Sequence, residues 1–181
     1  MTHFVGVDPG LAWCGVALVG PDGELVDVGV WTSTKGHRTG DEQQRLLELL
    51  RWLRVRVHGW TANVALSACA VEYPLAGGRN AGEQRATKAA SLKQVAVAAG
   101  GALALLGELT PAPVYAPVPV TWRAAVSGTR TTGRVIQAEL DADYRVSERV
   151  GRTRAPHALD ALGLALYARR TWATQALRDD R

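Results

Sequence analysis

Three carboxylates and one histidine stand where side chains from separate elements can meet. Asp8 ends a short β-branched run, and Glu72 ends a run of small apolar residues. His157 and Asp160 lie three residues apart in a helical pattern, so they project from one face of one turn. Carboxylates held close together are costly unless protons or cations neutralise them. The four residues therefore predict a site for a hard divalent cation such as Mg²⁺, which needs few protein ligands.

Taken one at a time, these residues have ordinary structural explanations. Asp8 fits a turn residue that bonds its own backbone, and Glu72 fits a surface residue at a strand end. His157 fits an early position in a helix, and Asp160 fits an acid favoured by the helix dipole. Their joint occurrence in this order of elements is what favours a functional site.

The segments that would position these side chains alternate between strands and helices. A three-stranded meander followed by alternating helices and strands predicts an α/β fold with a mixed five-stranded sheet flanked by helices. The predicted strands cover residues 4–7, 14–19, 25–31, 65–71 and 114–118, the predicted helices cover residues 41–57, 80–99, 120–126, 134–140 and 157–177, and residues 144–156 are predicted to form a polar, basic loop.

Length and composition indicate one globular domain. The 181 residues suffice for one hydrophobic core, so we expect a single domain over residues 1–181, with a flexible tail from about residue 172. The apolar fraction of 47% and the charged fraction of 21% exclude global disorder. Cys14 and Cys69 are too few for a disulfide framework or a zinc cluster, which favours a reducing, intracellular setting.

The net charge and the hydropathy of the chain indicate which kinds of partner it has. The net charge of +4 favours partners that carry phosphate, although a GC-rich genome would give a similar arginine-rich composition. The longest apolar stretch, residues 95–107, is about 13 residues long and too short to span a bilayer. No secretory signal precedes it. We therefore expect no membrane association and a cytoplasmic location in a bacterial or phage-infected cell.

Three segments resemble the motifs of RuvC-type Holliday junction resolvases. They are VGVDPGLAWCGVA at residues 5–17, AVEYP at residues 70–74 and PHALDALGLA at residues 156–165. The resemblance extends over about residues 4–168. It implies a ribonuclease H-like fold, a homodimer, and cleavage of four-way DNA junctions by two Mg²⁺ or Mn²⁺ ions in each active site.

The resemblance also implies roles for the four site residues. Asp8 would bridge both ions, Glu72 and Asp160 would flank them, and His157 would complete one ion's shell. Two-metal hydrolysis places the ions about 3.5–4 Å apart and leaves a 5′-phosphate and a 3′-hydroxyl that a ligase can reseal. Because imidazole is a softer ligand than carboxylate, we expect Mn²⁺ to support at least as much activity as Mg²⁺.

The chain departs from the family at its DNA-contacting positions. The apolar aromatic residue that the family places three residues after the glutamate is replaced by Leu75, so Leu75 or Tyr73 is the expected wedge or stacking residue. The family's lysines correspond to Thr121 and Thr132, which puts any general acid in doubt, since arginine does not release a proton at neutral pH. The other residues expected to contact DNA are Arg79, Arg85, Lys88, Arg123, Arg130, Arg134, Arg149, Arg152 and Arg154.

Several functions remain open at this stage. A related ribonuclease H-like nuclease would use the same acids on branched DNA or structured RNA, and a catalytically silent module would bind junctions without cutting them. A sugar-kinase-like phosphotransferase also begins with a strand, an aspartate and a hairpin, but it needs two such domains. The helix over residues 80–99 has a small, apolar face that either pairs with a second copy or covers the sheet. Partner proteins and cleavage sequence cannot be assigned.

Overall fold

The computed structural model describes residues 2–33, 41–74, 86–128 and 132–179, with residues 86–91 described by their backbone. Its sheet has the strand order β3-β2-β1-β4-β5. Strands β2 and β3 pair antiparallel to form a meander with β1, whereas β4 and β5 run parallel to β1. The strands are β1 (Thr2–Asp8), β2 (Trp13–Val19), β3 (Leu25–Thr32), β4 (Ala65–Val71) and β5 (Val114–Tyr115).

Helices cover both faces of this sheet. The described helices are α1 (Glu42–Thr61), α2 (Ala86–Leu109), α3 (Pro119–Ser127), α4 (Gly133–Tyr144), α5 (Val146–Val150) and α6 (Ala155–Asp179). Helices α1 and α2 pack on one face, and α3 to α6 pack on the other. The expected mixed five-stranded sheet flanked by helices is therefore confirmed. Residues from 172 onward continue α6 through Asp179.

Strand alternation decides which face each side chain meets. Along β1, Val5 and Val7 enter the core under α1 and α2, whereas Phe4 enters the core under α6. Successive side chains point to opposite faces of a strand, so Asp8 shares the α6 face with Phe4. The same alternation in β4 places Ala70 in the α6 core and directs Glu72 to the same side. The face that carries the acids is thus the face that α6 covers.

Residues 144–156 form more than the loop predicted from their polarity. Helix α5 lies within this segment, and its first residue, Val146, is fully buried in the core under α6. Arg145, with a φ of 51°, separates α4 from α5, and Gly151, with a φ of 83°, ends α5. The burial of one valine outweighs the polar composition of its neighbours, which is why composition alone indicated a loop.

Helix α2 extends ten residues beyond the predicted end at residue 99. It continues through Gly100-Gly101 because Gly101 lies against the side chains of Leu50 and Leu46, so the missing Cβ lets α1 and α2 approach closely. Strand β5, by contrast, has two residues instead of the predicted five. Pro113 and Pro117 flank it and lack the backbone N–H that would extend the ladder.

One helix in the described ranges is long and apolar enough to cross a membrane. Leu92–Leu109 covers 18 residues, and 28% of this window is buried. The apolar segment is longer than the 13 residues counted in the sequence, because the helix continues on both sides of them. The feature is weak evidence for a membrane span, since core helices of other proteins pass the same test.

Candidate metal centre at the ends of β1 and β4

Asp8 and Glu72 lie side by side at the ends of neighbouring parallel strands. Val7 pairs with Val71 in the register, and the next backbone N–H, that of Glu72, donates a 3.0 Å hydrogen bond to the Val7 carbonyl. Both acidic side chains point towards α6, as the alternation of each strand requires. Two carboxylates predicted from separate segments therefore meet at one edge of the sheet.

Helix α6 brings His157 to Asp8. His157 Nδ1 lies 2.8 Å from Asp8 Oδ2, and the imidazole stacks on Trp13 with ring centroids 6.0 Å apart. Gly15 pairs with Asp8 across the strands, and a Cβ at Gly15 would overlap the His157 carbonyl oxygen. A glycine at that position of β2 is thus what allows the first turn of α6 to lie directly over this strand.

Asp160 lies one turn further along α6 and is held by two side chains. Gln137 Nε2, from α4, donates a 2.9 Å hydrogen bond to Asp160 Oδ1. Arg123 Nη2, from α3, lies 3.7 Å from Asp160 Oδ2. The Asp160 side chain is 15% exposed, so these neighbours account for much of its surroundings.

Glu72 is held from the interior of the protein. Trp122 Nε1 donates a 2.6 Å hydrogen bond to Glu72 Oε2, and the Trp122 side chain is fully buried. The indole N–H is a donor only, so the carboxylate oxygen is a suitable partner for it. Trp122 in turn packs on Gly163 of α6, where any Cβ would overlap the indole ring.

Burial and mutual repulsion make it costly to ionise all the carboxyl groups of this cluster together. Burial, followed by the charge of Asp8, raises the pKa of Glu72 to about 7, against the opposing effect of the indole hydrogen bond. Burial and Asp8 likewise raise the pKa of Asp160 to about 6. The hydrogen bond to Asp8 raises the pKa of His157. Each shift has the direction expected where carboxylates are crowded without enough positive charge.

The donor set suits a hard divalent cation. Three carboxylates supply the oxygen ligands that Mg²⁺ and Mn²⁺ prefer, and a bound cation would remove the repulsion among them. In the described residues, no three His, Cys, Asp or Glu side chains converge as they would around a bound ion. His157 Nδ1 faces Asp8 directly, so coordination by that nitrogen requires this contact to open.

The structure separates the expected DNA-contacting residues into groups. Arg123 lies at the cluster, Tyr73 follows Glu72 with 40% of its surface exposed, and Arg134 is exposed on the first turn of α4. Arg152 and Arg154 are exposed in the turn directly before α6. Leu75, Arg79, Arg85 and Arg130 lie outside the described residues, and of Lys88 the structure describes the backbone.

Arg149 points away from the carboxylates. Its Nη1 lies 3.5 Å from the carbonyl oxygen of Leu25. Leu25 pairs with Val19, and Val19 pairs with Phe4, so this contact lies at the level of Phe4, at the far end of the sheet from Asp8. Phe4 and Asp8 are four residues apart, or roughly 13 Å at 3.3 Å per residue. The structure thus does not bring Arg149 together with the other expected DNA contacts near His157.

Three residues of the site escaped sequence analysis. Trp122, Gln137 and Trp13 each touch one of the four predicted residues. Trp13 lies inside the quoted segment 5–17 but was given no role, and the other two lie outside the three segments. The one available signal was the type of residue, since a buried tryptophan needs an acceptor for its N–H. Which acceptor it finds, 50 residues away in the chain, depends on how α3 packs against β4.

Comparison with solved structures agrees with the fold described above. The Thermus thermophilus RuvC structure matches with a TM-score of 0.65 and 21% identity, over 96% of this chain and 96% of that one. T. thermophilus RuvC in complex with a Holliday junction substrate matches with a TM-score of 0.64 and 20% identity, over 97% and 96% of the two chains. No family model and no curated protein matches the chain. These similarities confirm the ribonuclease H-like fold.

Proposed function

We propose that this protein is a divalent-metal-dependent, structure-selective DNA endonuclease that resolves four-way junctions. Paired symmetric nicks would leave a 5′-phosphate and a 3′-hydroxyl. The observation that carries the proposal is that Asp8, Glu72, His157 and Asp160 lie near enough at one end of the sheet to shift one another's pKa values, in a fold that matches RuvC. We propose a cytoplasmic location, where such DNA is found.

The four residues would act together on the metal ions and the scissile phosphate. Asp8, Glu72 and Asp160 would hold the ions with their oxygens, and His157 would add a ring nitrogen. If that nitrogen is Nδ1, its contact with Asp8 must open first. When bound, two such ions activate water and stabilise the leaving oxygen. Because the pKa of Glu72 is about 7, protons compete with cations for this carboxylate near neutral pH.

Arg123 is the positive side chain best placed to meet the phosphate. Its guanidinium approaches Asp160 and packs beside Gly133, and 28% of its side chain remains exposed. Thr121 and Thr132, at the positions of the family's lysines, are both exposed. Arginine stays protonated at neutral pH, so Arg123 would orient and neutralise the phosphate while solvent supplies the proton for the leaving oxygen.

A homodimer would supply the second cut. Two nicks in opposed strands of a nearly symmetric junction need two active sites related by a two-fold axis. Helix α2 supports this assembly because its apolar segment Leu92–Leu109 is 28% buried and Val97 is 43% exposed. Apolar surface of this kind favours contact with a second copy.

The test is cleavage of a synthetic mobile four-way junction with Mg²⁺ or Mn²⁺. Asp8→Asn is compared with wild type and with Asp22→Asn, a matched change at an exposed turn. Paired, ligatable nicks that Asp8→Asn loses and Asp22→Asn keeps would support the proposal.

Competing substrates separate the alternatives. Linear duplex, a flap and structured RNA are added to the same reaction. Preference for the flap or the RNA would replace the junction with another substrate of the same metal-dependent chemistry. Junction binding without cleavage in either metal would indicate a silent binding module.

A further inference from the structure

Trp122 connects the candidate active site to the core of the protein. One edge of its indole faces Glu72, to which Nε1 donates a 2.6 Å hydrogen bond. The benzo ring lies against Gly163 of α6, where it occupies the space that any Cβ would need. The side chain is fully buried, so it has no room to turn away from the carboxylate.

We infer that Trp122 is a positioning residue that fixes the orientation of the Glu72 carboxylate for metal binding. Gly163, which has no side chain, leaves the space that the Trp122 indole occupies. The hydrogen bond engages Oε2 and restricts the rotation of the carboxylate, at the end of the strand beside the one that ends in Asp8. Hydrogen bonds of this kind to a ligating carboxylate commonly change metal affinity by about 10- to 100-fold. The inference rests on the proposed function, because it assigns Glu72 to a metal site.

The packing explains why a tryptophan and a glycine are needed together. Gly163 lies on the same helix as His157 and Asp160, so a side chain at residue 163 would push either Trp122 or α6 out of place. A displaced indole would lose its hydrogen bond to Glu72, and a displaced helix would shift Asp160. The two residues therefore couple three of the metal-site residues through one contact.

A matched tryptophan elsewhere in the fold provides the control. Trp60 is 8% exposed, and its Nε1 donates a 2.8 Å hydrogen bond to Asp27 Oδ2, remote from the site. Trp60→Phe and Trp122→Phe therefore remove the same kind of bond from similarly buried rings. A general loss of packing would affect both variants alike, whereas a positioning role would affect Trp122→Phe alone.

The experiment measures Mn²⁺ affinity directly, from the electron paramagnetic resonance signal of the free ion, in wild type and in both variants. Trp122→Phe should weaken Mn²⁺ binding about ten-fold and reduce kcat for junction cleavage, with junction affinity in EDTA unchanged. Trp60→Phe should match wild type in all three. If Trp122→Phe binds Mn²⁺ as tightly as Trp60→Phe does, the inference is wrong. If wild type itself binds no Mn²⁺, the proposed metal-dependent function is wrong, and the inference about Trp122 is wrong with it.

A double-mutant cycle tests whether Gly163 and Trp122 act together on metal binding. Gly163→Ala should weaken Mn²⁺ binding in wild type, but it should cost less in a Trp122→Phe background, because phenylalanine lacks the benzo ring that the new Cβ would meet. Strictly additive effects would contradict the coupling.

A spectroscopic measurement keeps the inference testable if these variants fail to fold. Among the indole N–H resonances of the six tryptophans, one should move both when Mg²⁺ is added and when Glu72 is changed to Gln. If no single resonance responds to both, Trp122 does not contact a metal-binding carboxylate.

Discussion

Asp8 and His157 are 149 residues apart in the sequence, yet His157 Nδ1 lies 2.8 Å from Asp8 Oδ2. This contact joins the end of β1 to the first turn of α6 and closes the cluster of acids. It is a charged hydrogen bond when the imidazole is protonated, and Asp8 raises the pKa of His157 in that direction. Metal coordination by His157 Nδ1 would exchange this bond for one to the ion.

The metal preference of the site should depend on His157. We expect wild type to cut junctions with Mn²⁺ at least as fast as with Mg²⁺, and His157→Asp to shift the ratio of the two rates towards Mg²⁺, because carboxylate is the harder ligand. Initial cleavage rates in each metal measure this ratio. His58→Asp, an exposed histidine changed on α1, should leave the ratio as it is. A wild type that works with Mg²⁺ and fails with Mn²⁺ would argue against His157 as a ligand.

The stability of the metal-free protein should fall as pH rises. The pKa of Glu72 is raised from 4.5 to about 7 in the folded protein, and that of Asp160 from 3.8 to about 6. Their protonated forms therefore stabilise the fold fully below the unfolded values, and this contribution is lost as pH rises through the folded ones. For Glu72 it amounts to about 3 kcal/mol.

Thermal unfolding in EDTA from pH 4.5 to 8 measures this effect. Glu72→Gln should flatten the pH dependence, whereas Glu48→Gln, a change on the exposed face of α1, should not. Added Mg²⁺ should raise the melting temperature most at the alkaline end, where protons no longer compete for the site. Equal stabilisation by Mg²⁺ at both ends of the range would count against a metal site at these acids.

Gln137 should support metal binding through Asp160. Its amide donates to Asp160 Oδ1 at 2.9 Å, so Gln137→Leu removes the bond and leaves the carboxylate less well oriented. We expect about a ten-fold loss of Mn²⁺ affinity, measured by titration calorimetry. Gln44→Leu, which removes an exposed amide bonded to Glu48, serves as the control. Equal affinities in the two variants would exclude the orienting role.

Of the basic residues before α6, we expect Arg152 but not Arg149 to contact DNA phosphate. Arg152 is exposed in the turn that leads into α6, the helix of His157. Arg152→Ala should therefore reduce the slope of log K for junction binding against log salt by about 0.9, the loss of one phosphate contact. Arg149→Ala should leave the slope unchanged, because its guanidinium is turned towards Leu25 at the opposite end of the sheet. Fluorescence anisotropy at several salt concentrations, in EDTA, measures both. An equal effect of the two substitutions would show that this assignment is wrong.

The apolar face of α2 should hold two copies together. Val97→Glu places a charge on that face, and we expect the protein to become a monomer at micromolar concentration, because a charge in an apolar interface is left without a partner. Sedimentation velocity measures the change. Leu177→Glu, at an exposed leucine near the end of α6, should leave the assembly intact. A wild type that sediments as a monomer would refute the dimer itself.

The sheet and the acids were predictable because both depend on local patterns. A short β-branched run located β1 and a run of small apolar residues located β4, and the residue that ends each strand is the acid that faces α6. Helix α5 and the full length of α2 could not be predicted from the sequence. They depend on the burial of Val146 and on the contact of Gly101 with α1. The roles of Trp122 and Gln137 could not be predicted either, because they depend on packing between elements that are distant in the sequence.

The joining of β1 to α6 has a consequence for the synthesis of the protein. The ribosome delivers Asp8 well before His157 and Asp160, and until α6 docks on the sheet these acids lie in separate stretches of chain that cannot share a cation. Any cutting activity of this site therefore begins only when the whole domain has closed. An unfinished chain, or one degraded from its C-terminus, lacks α6 and with it His157 and Asp160, so it would pose no hazard to the DNA around it.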